Sequence, residues 1–198
     1  MSRIDELIAV WCPNGVPVLL LGQICEIQRG IRVTKGELQS DGQYPVVSGG
    51  VGHMGYLDRC NRSANTITIA QYGTAGYVNW QVEEFWANDV CFTVKPIDDL
   101  VLNKFLYYFL AARQITLYQI SNRNAVPYSI DRSKILSLEI QLPPLEVQRE
   151  IVRILDQFTE LEAELEAELE ARRKQYEHYR NQLLTFPEEG GGPVGSDG

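Results

Sequence analysis

The chain has 198 residues and a mass of 22.5 kDa, with 44% hydrophobic and 22% charged residues, the proportions of a folded globular protein. That composition excludes wholesale disorder, collagen-like repetition and a membrane channel; the longest uncharged apolar stretch, 15–24, is too short to span a bilayer. The net charge of −8 is unevenly placed: residues 1–142 hold twelve Lys/Arg against thirteen Asp/Glu, and residues 143–198 hold six against thirteen, so the low pI does not exclude a basic face on the first part.

In chain order, a short helix is expected over 2–10, ending before the turn signal Pro13-Asn14-Gly15. Short β-rich runs follow at 18–27, 44–48, 66–72, 77–80 and 90–94, punctuated by glycines at 49, 50, 52, 55, 73 and 76. Thr66-Ile67-Thr68-Ile69 alternates as a half-buried strand does. Residues 102–120 carry a helical pattern with Phe105, Phe109, Ala112 and Ile115 on one face. A polar loop at 121–125 leads through Pro127 to a last strand at 135–142. Strands followed by a helix without regular alternation give an α+β fold.

The character changes at Pro143-Pro144. From Leu145 to about Leu184 there is no proline or glycine, and Pro144 suits a first helical turn. Val147, Ile151, Ile154, Phe158, Leu161 and Leu165 recur at spacings of 4, 3, 4, 3 and 4, a coiled-coil seam; Leu169 follows after a stutter. These seven residues are the expected dimerisation positions. The seam carries three copies of Glu-Leu-Glu-Ala, at 160–163, 164–167 and 168–171, each worth about 6 Å of helix and so fit to act as an adjustable spacer. The ending, 188–198, reads as a disordered tail or a remnant of cloning.

Signals for catalysis are weak. Gly50-Val51-Gly52-His53-Met54-Gly55 matches a dinucleotide fingerprint by letter, but Tyr56-Leu57-Asp58-Arg59 continues it as a turn rather than a helix, so a glycine turn between strands is the better reading. Leu142-Pro143-Pro144-Leu145 lacks the acid or amide and the aromatic of an amino-methyltransferase tetrapeptide. Cys12, Cys25, Cys60 and Cys91 are 13, 35 and 31 residues apart, without metal-ligand spacing, so free thiols and no structural metal are expected. No enzymatic constellation emerges from spacing. No secretory leader is visible, and a cytoplasmic location is expected.

One polar set is suited to nucleic acid. Gln28, Arg29, Arg32 and Lys35 surround Gly30; Gln71, Tyr72 and Thr74 surround Gly73; Asn122, Arg123 and Asn124 precede Pro127. Arg and Lys read guanine edges or hold phosphates, Gln and Asn read adenine, and Tyr and Thr contact phosphates or thymine methyls. These ten residues are the candidate DNA contacts.

Several pieces in order carry a family resemblance: Cys12 to Pro17 with Leu21-Gly22, Gly30, Tyr44-Pro45-Val46 with the Gly50 to Gly55 turn, and Gly73-Thr74-Ala75-Gly76-Tyr77-Val78. Ala125-Val126-Pro127, Leu142-Pro143-Pro144-Leu145-Glu146-Val147-Gln148 and Arg173-Lys174-Gln175-Tyr176 through Phe186 complete it. Over about 10–187 the chain resembles half of a type I restriction–modification specificity subunit. The resemblance implies a target recognition domain at 1–142 that reads double-stranded DNA, and a long helix at 143–186 that dimerises and sets spacing. It further implies that the chain itself is no enzyme. Modification subunits would hold S-adenosylmethionine and methylate adenine, and a restriction subunit would use ATP and Mg to translocate and cut. Such subunits carry two domains and two helices; with one of each, a homodimer paired through an antiparallel coiled coil would read a bipartite palindrome. The alternative reading is a coiled-coil adaptor that binds protein rather than DNA.

Overall fold

The computed structural model describes residues 3–97 and 99–186; the expected tail at 188–198 and Ser2 of the expected first helix lie outside them. The fold is α+β. Helix α1 (Arg3–Trp11) precedes strand β1 (Val18–Leu20), a single helical turn α2 (Leu21–Ile24) and β2 (Cys25–Arg29). The expected run at 18–27 is thus interrupted. Leu21 and Ile24 both enter the core on one helical turn, which an extended chain with period two could not arrange, and Gln23 Oε1 accepts from Leu20 N at 2.7 Å to start the turn.

Strands β3 (Tyr44–Val47) and β4 (His53–Leu57) form a hairpin around the glycine turn. Of the stretch after Gly55 that reads as a turn, Tyr56 and Leu57 still belong to β4 and the chain bends at Asp58; no helix follows the fingerprint. Strands β5 (Thr66–Ala70), β6 (Val78–Gln81), β7 (Trp86–Ala87) and β8 (Cys91–Pro96) follow. The main sheet is antiparallel in the order β2-β8-β5-β6, with Ile27 opposite Val94 and Thr68 opposite Asn79. A smaller sheet, β4-β3-β7, pairs β3 and β7 in parallel.

The half-buried reading of β5 is corrected. Thr68 is as buried as its isoleucine neighbours, because its Oγ1 accepts from Gln81 Nε2 at 3.1 Å and faces Asn79 O at 3.3 Å. A hydroxyl with both partners on the neighbouring strand can be enclosed at little cost.

Helices α3 (Asn103–Ala112) and α4 (Gln114–Ile120) break at Arg113. Their core face is Phe105, Leu106, Leu110 and Leu117; of the expected line Phe105 is buried and Phe109 packs against the same core, while Ala112 and Ile115 are exposed, Ile115 to 72%. Leu106, Leu110 and Leu117, spaced 4 and 7 apart, keep one helical phase through the break, and Ile115 lies on the opposite side of the wheel from them. A short helix α5 (Arg132–Leu136) takes Ile135 and Leu136 from the expected last strand, which is only β9 (Glu139–Gln141), paired with β1.

Helix α6 (Leu145–Leu184) runs without interruption for 40 residues. The first compact unit extends to Arg153, and a second begins at Ile154. In the first unit, Val147 is fully buried and Ile151 packs against the same core. Val147 is therefore removed from the dimerisation positions: its whole side chain is already covered by its own domain, and Ile151 is partly covered there. In the second unit Phe158, Leu161, Leu165 and Leu169 are all about half or more exposed and border one continuous apolar strip. Among the described residues all four cysteines are free, no cluster of three or more metal-ligating side chains occurs, and no helix is long and apolar enough to cross a membrane.

Candidate nucleic-acid interface

The candidate DNA contacts stand on loops, and the question is which loops the fold joins. The junction is the tight turn Asn88-Asp89-Val90 between β7 and β8. Asn88 is 5% exposed and every polar group on it is used. Its Oδ1 accepts from Val33 N at 3.0 Å and Asp89 N at 2.8 Å, its Nδ2 donates to Val33 O at 3.3 Å, and its backbone N donates to Val47 O at 2.9 Å. Arg29 Nε donates to Asp89 O, and Gln71 N donates to Val90 O at 2.9 Å. One turn thus anchors the Arg29–Val33 segment, the end of β3 and the Gln71 loop.

From Gln71 the contacts run on to the third loop. Ile130 N donates to Gln71 O at 3.0 Å and Gly73 N to Tyr128 O at 3.1 Å, while Asn122 and Ser129 exchange main-chain bonds. Thr74 donates to Gly49 O from both N (2.9 Å) and Oγ1 (2.8 Å), which draws in the glycine turn. Gly73 has φ +76°, and a Cβ there would meet Gly49 O at 2.8 Å. Loops can approach this closely only without side chains at the crossing.

Gly30 is a second such point: a Cβ would run into the backbone oxygens of Asn88 and Ala87. Gly30→Ala is expected to lose stability by about 2–4 kcal/mol, because backbone on both sides must move. Urea unfolding checks this; an unchanged midpoint would mean that the segment yields freely.

Eight of the ten candidates therefore belong to connected loops: Arg29, Arg32, Gln71, Tyr72, Thr74, Asn122, Arg123 and Asn124. Arg32 is exposed between two pinned neighbours, Ile31 (N to Ala87 O, 2.8 Å) and Val33. Two candidates stand apart. Gln28 lines an open groove of about 900 Å³ together with Arg62, Lys95 and Asn103. Lys35 sits in the 3-10 turn Lys35–Glu37, whose segment continues to a bridge between Gln39 and Tyr56 of β4.

Within the connected set, roles differ. Asn122 Oδ1 accepts from Asn124 N at 3.0 Å, and Arg123 Nε donates to Tyr118 O at 3.2 Å with its guanidinium over the rings of Tyr118 (5.0 Å) and Tyr128 (4.9 Å). Both brace the loop. Gln71 Oε1, by contrast, is shielded from solvent and has no hydrogen-bond partner among the described residues. A buried acceptor left open is costly unless something donates to it.

Sequence reasoning missed Asn88, Asp89 and Tyr128. The Asn-Asp pair is a turn signal that marks the position, but nothing in the sequence says that three distant loops hydrogen-bond to it.

Comparison with known proteins bears directly on this arrangement. The family described as Type I restriction modification DNA specificity domain matches residues 13–171. The type I restriction enzyme MpnII specificity subunit of Mycoplasma pneumoniae is 30% identical over 174 residues, covering 84% of this chain and 52% of that protein. The crystal structure of a type I restriction-modification system S subunit from M. genitalium superposes with a TM-score of 0.71 at 26% identity, over 88% of this chain and 48% of that one. The HsdS subunit from Thermoanaerobacter tengcongensis shares the fold, with a TM-score of 0.60 at 20% identity over 83% of this chain and 44% of that one. The chain spans about half the length of these relatives. With the candidate loops, the sheets and the long helix up to Ala171 inside the matched region, the chain belongs to the type I restriction-modification DNA specificity domain family.

Proposed function

We propose that this chain is a half-length specificity subunit that reads one half of a bipartite site in double-stranded DNA. The observation that carries the reading is that the Asn88–Val90 turn anchors the segment bearing Arg29 and Arg32 and the loop bearing Gln71, and that the Gln71 loop in turn holds the loop bearing Asn124. Arginines for phosphate or guanine and amides for adenine on connected loops form a combination that fits a duplex edge. In this reading residues 1–142 form the target recognition domain and 143–186 the dimerising and spacing helix.

Two copies pair in an antiparallel coiled coil through Phe158, Leu161, Leu165 and Leu169, with Ile154 at the margin, and so present two identical domains to a symmetric interrupted site. The assembly docks modification subunits, and the restriction subunit where there is one, in the cytoplasm. S-adenosylmethionine, ATP and Mg belong to those partners, and this chain contributes recognition rather than catalysis.

The test is salt-dependent duplex binding by the chain assembled with its modification subunits, followed by fluorescence anisotropy. Affinity should fall linearly on a logarithmic salt scale, and Arg32→Ala should weaken binding to all sequences alike while lowering the slope by about 1. Salt-independent binding, or none, would favour the adaptor reading instead.

A further inference from the structure

We propose that the tip of the 121–129 loop, formed by Val126, Pro127 and Tyr128, enters duplex DNA as an apolar wedge that parts a base step. This rests on the DNA-reading function proposed above and adds a mode of contact to it.

The stem of the loop is fixed. Asn122 and Ser129 exchange main-chain hydrogen bonds at 2.6 and 3.2 Å, Gly73 N donates to Tyr128 O at 3.1 Å, and Ile130 N donates to Gln71 O at 3.0 Å. Two polar side chains at its root brace the loop while remaining exposed: the Asn122 amide oxygen holds Asn124 N, and the Arg123 guanidinium lies against the rings of Tyr118 and Tyr128. Beyond this root the tip itself exposes apolar surface. Val126 is 97% exposed, Pro127 is exposed and Tyr128 is 44% exposed.

Single exposed apolar residues are common and carry no message. Three in succession on a braced tip, with an exposed arginine and two amides at its root, are a different arrangement. The tip is too narrow for a protein–protein interface, which needs about 20–30 residues a side. A duplex offers a slot of the right kind, because small apolar side chains inserted between base pairs unstack them and kink the helix. A wedge must not fold back when pushed, and the four main-chain bonds at the stem supply that stiffness. The Arg123 cation, held behind the tip, would face the phosphates flanking the opened step. Unstacking is cheapest at pyrimidine–purine steps, so the tip should favour TA or CA within the site.

The experiment uses the chain assembled with its modification subunits, without S-adenosylmethionine, on a duplex carrying the motif that the complex methylates. 2-Aminopurine replaces each adenine in turn. The wild-type complex should raise emission several-fold at one position other than the methylated adenine. Val126→Gly should remove most of that rise while leaving the melting temperature and the salt slope of binding unchanged. An equal rise with Val126→Gly, or tight wild-type binding with no rise at any such position, would overturn the wedge and leave the DNA reading intact. Failure of Val126→Gly to assemble with the modification subunits would place the tip in a protein contact and also overturn it. A wild-type complex that does not bind duplex at all would bring down the DNA reading itself.

Discussion

Replacing Gln148 by methionine is expected to lower stability by about 3–6 kcal/mol and the melting temperature by roughly 10 °C. Gln148 is fully buried in the first turn of α6. Its Nε2 donates to Leu100 O at 2.9 Å and Pro143 O at 2.8 Å, and its Oε1 accepts at 2.8 Å from the N of Leu102, the residue just before α3. Three backbone groups from two connections thus find their partner in one side chain. Methionine keeps the volume but removes both donors and the acceptor, stranding those groups at about 1–3 kcal/mol each. Gln119→Met on the exposed face of α4 is the control and should stay within about 0.5 kcal/mol of wild type. Thermal unfolding by circular dichroism decides; equal melting curves for the two variants would show that water reaches the site and replaces the amide.

The second large effect concerns association. The double substitution Phe158→Lys, Leu165→Lys should weaken self-association by more than about a thousandfold. Each side chain, now 64% and 57% exposed, would contribute ~1.5–3 kcal/mol on full burial against a second helix, and each occurs twice in a symmetric pair. Lysine adds the cost of placing like charges on both sides of the seam. Light scattering should give twice 22.5 kDa for the wild type and 22.5 kDa for the variant at micromolar concentration. Val147→Ala would not report on association, since Val147 lies in the core of its own domain; it should lower stability instead.

The difference between Val147 and Phe158 shows what the sequence could and could not convey. The seam spacing is continuous from Val147 to Leu165, and the uninterrupted helix follows from forty residues without proline or glycine. Periodicity marks an apolar face but not what covers it, and here the cover changes along the helix from the core of the domain to no partner within the described chain. The same limit accounts for Ile115, which extends the Phe105–Phe109 line but lies opposite Leu106, Leu110 and Leu117, the residues that the core takes. Leu21–Ile24 and Arg132–Leu136 are single turns of helix chosen by packing, too short to show a period of 3.6.

For the site, residue chemistry brought out Arg29, Gln71 and Asn124, and the glycines marked where loops cross. The junction itself was not legible, because Asn88, Asp89 and Val90 act through main-chain and amide groups bonded to segments up to 60 residues away in sequence. Asn122 and Arg123 have the right chemistry for bases, yet the fold turns them to bracing a loop. Gln148 was visible as part of the Pro-Pro-Leu motif, but its role emerges only from the three carbonyl and amide groups that meet it.

The central claim is that two identical domains, held apart by a helix of adjustable length, read one symmetric DNA site. It is tested most directly by mapping adenine methylation made by the chain together with its modification subunits, for the wild type and for a variant lacking residues 164–167. The account predicts a two-fold symmetric interrupted motif whose two half-sequences are unchanged in the variant, while the interval between them shortens by about one or two base pairs, the span of ~6 Å of helix. An asymmetric motif, or the same interval in both proteins, would contradict it.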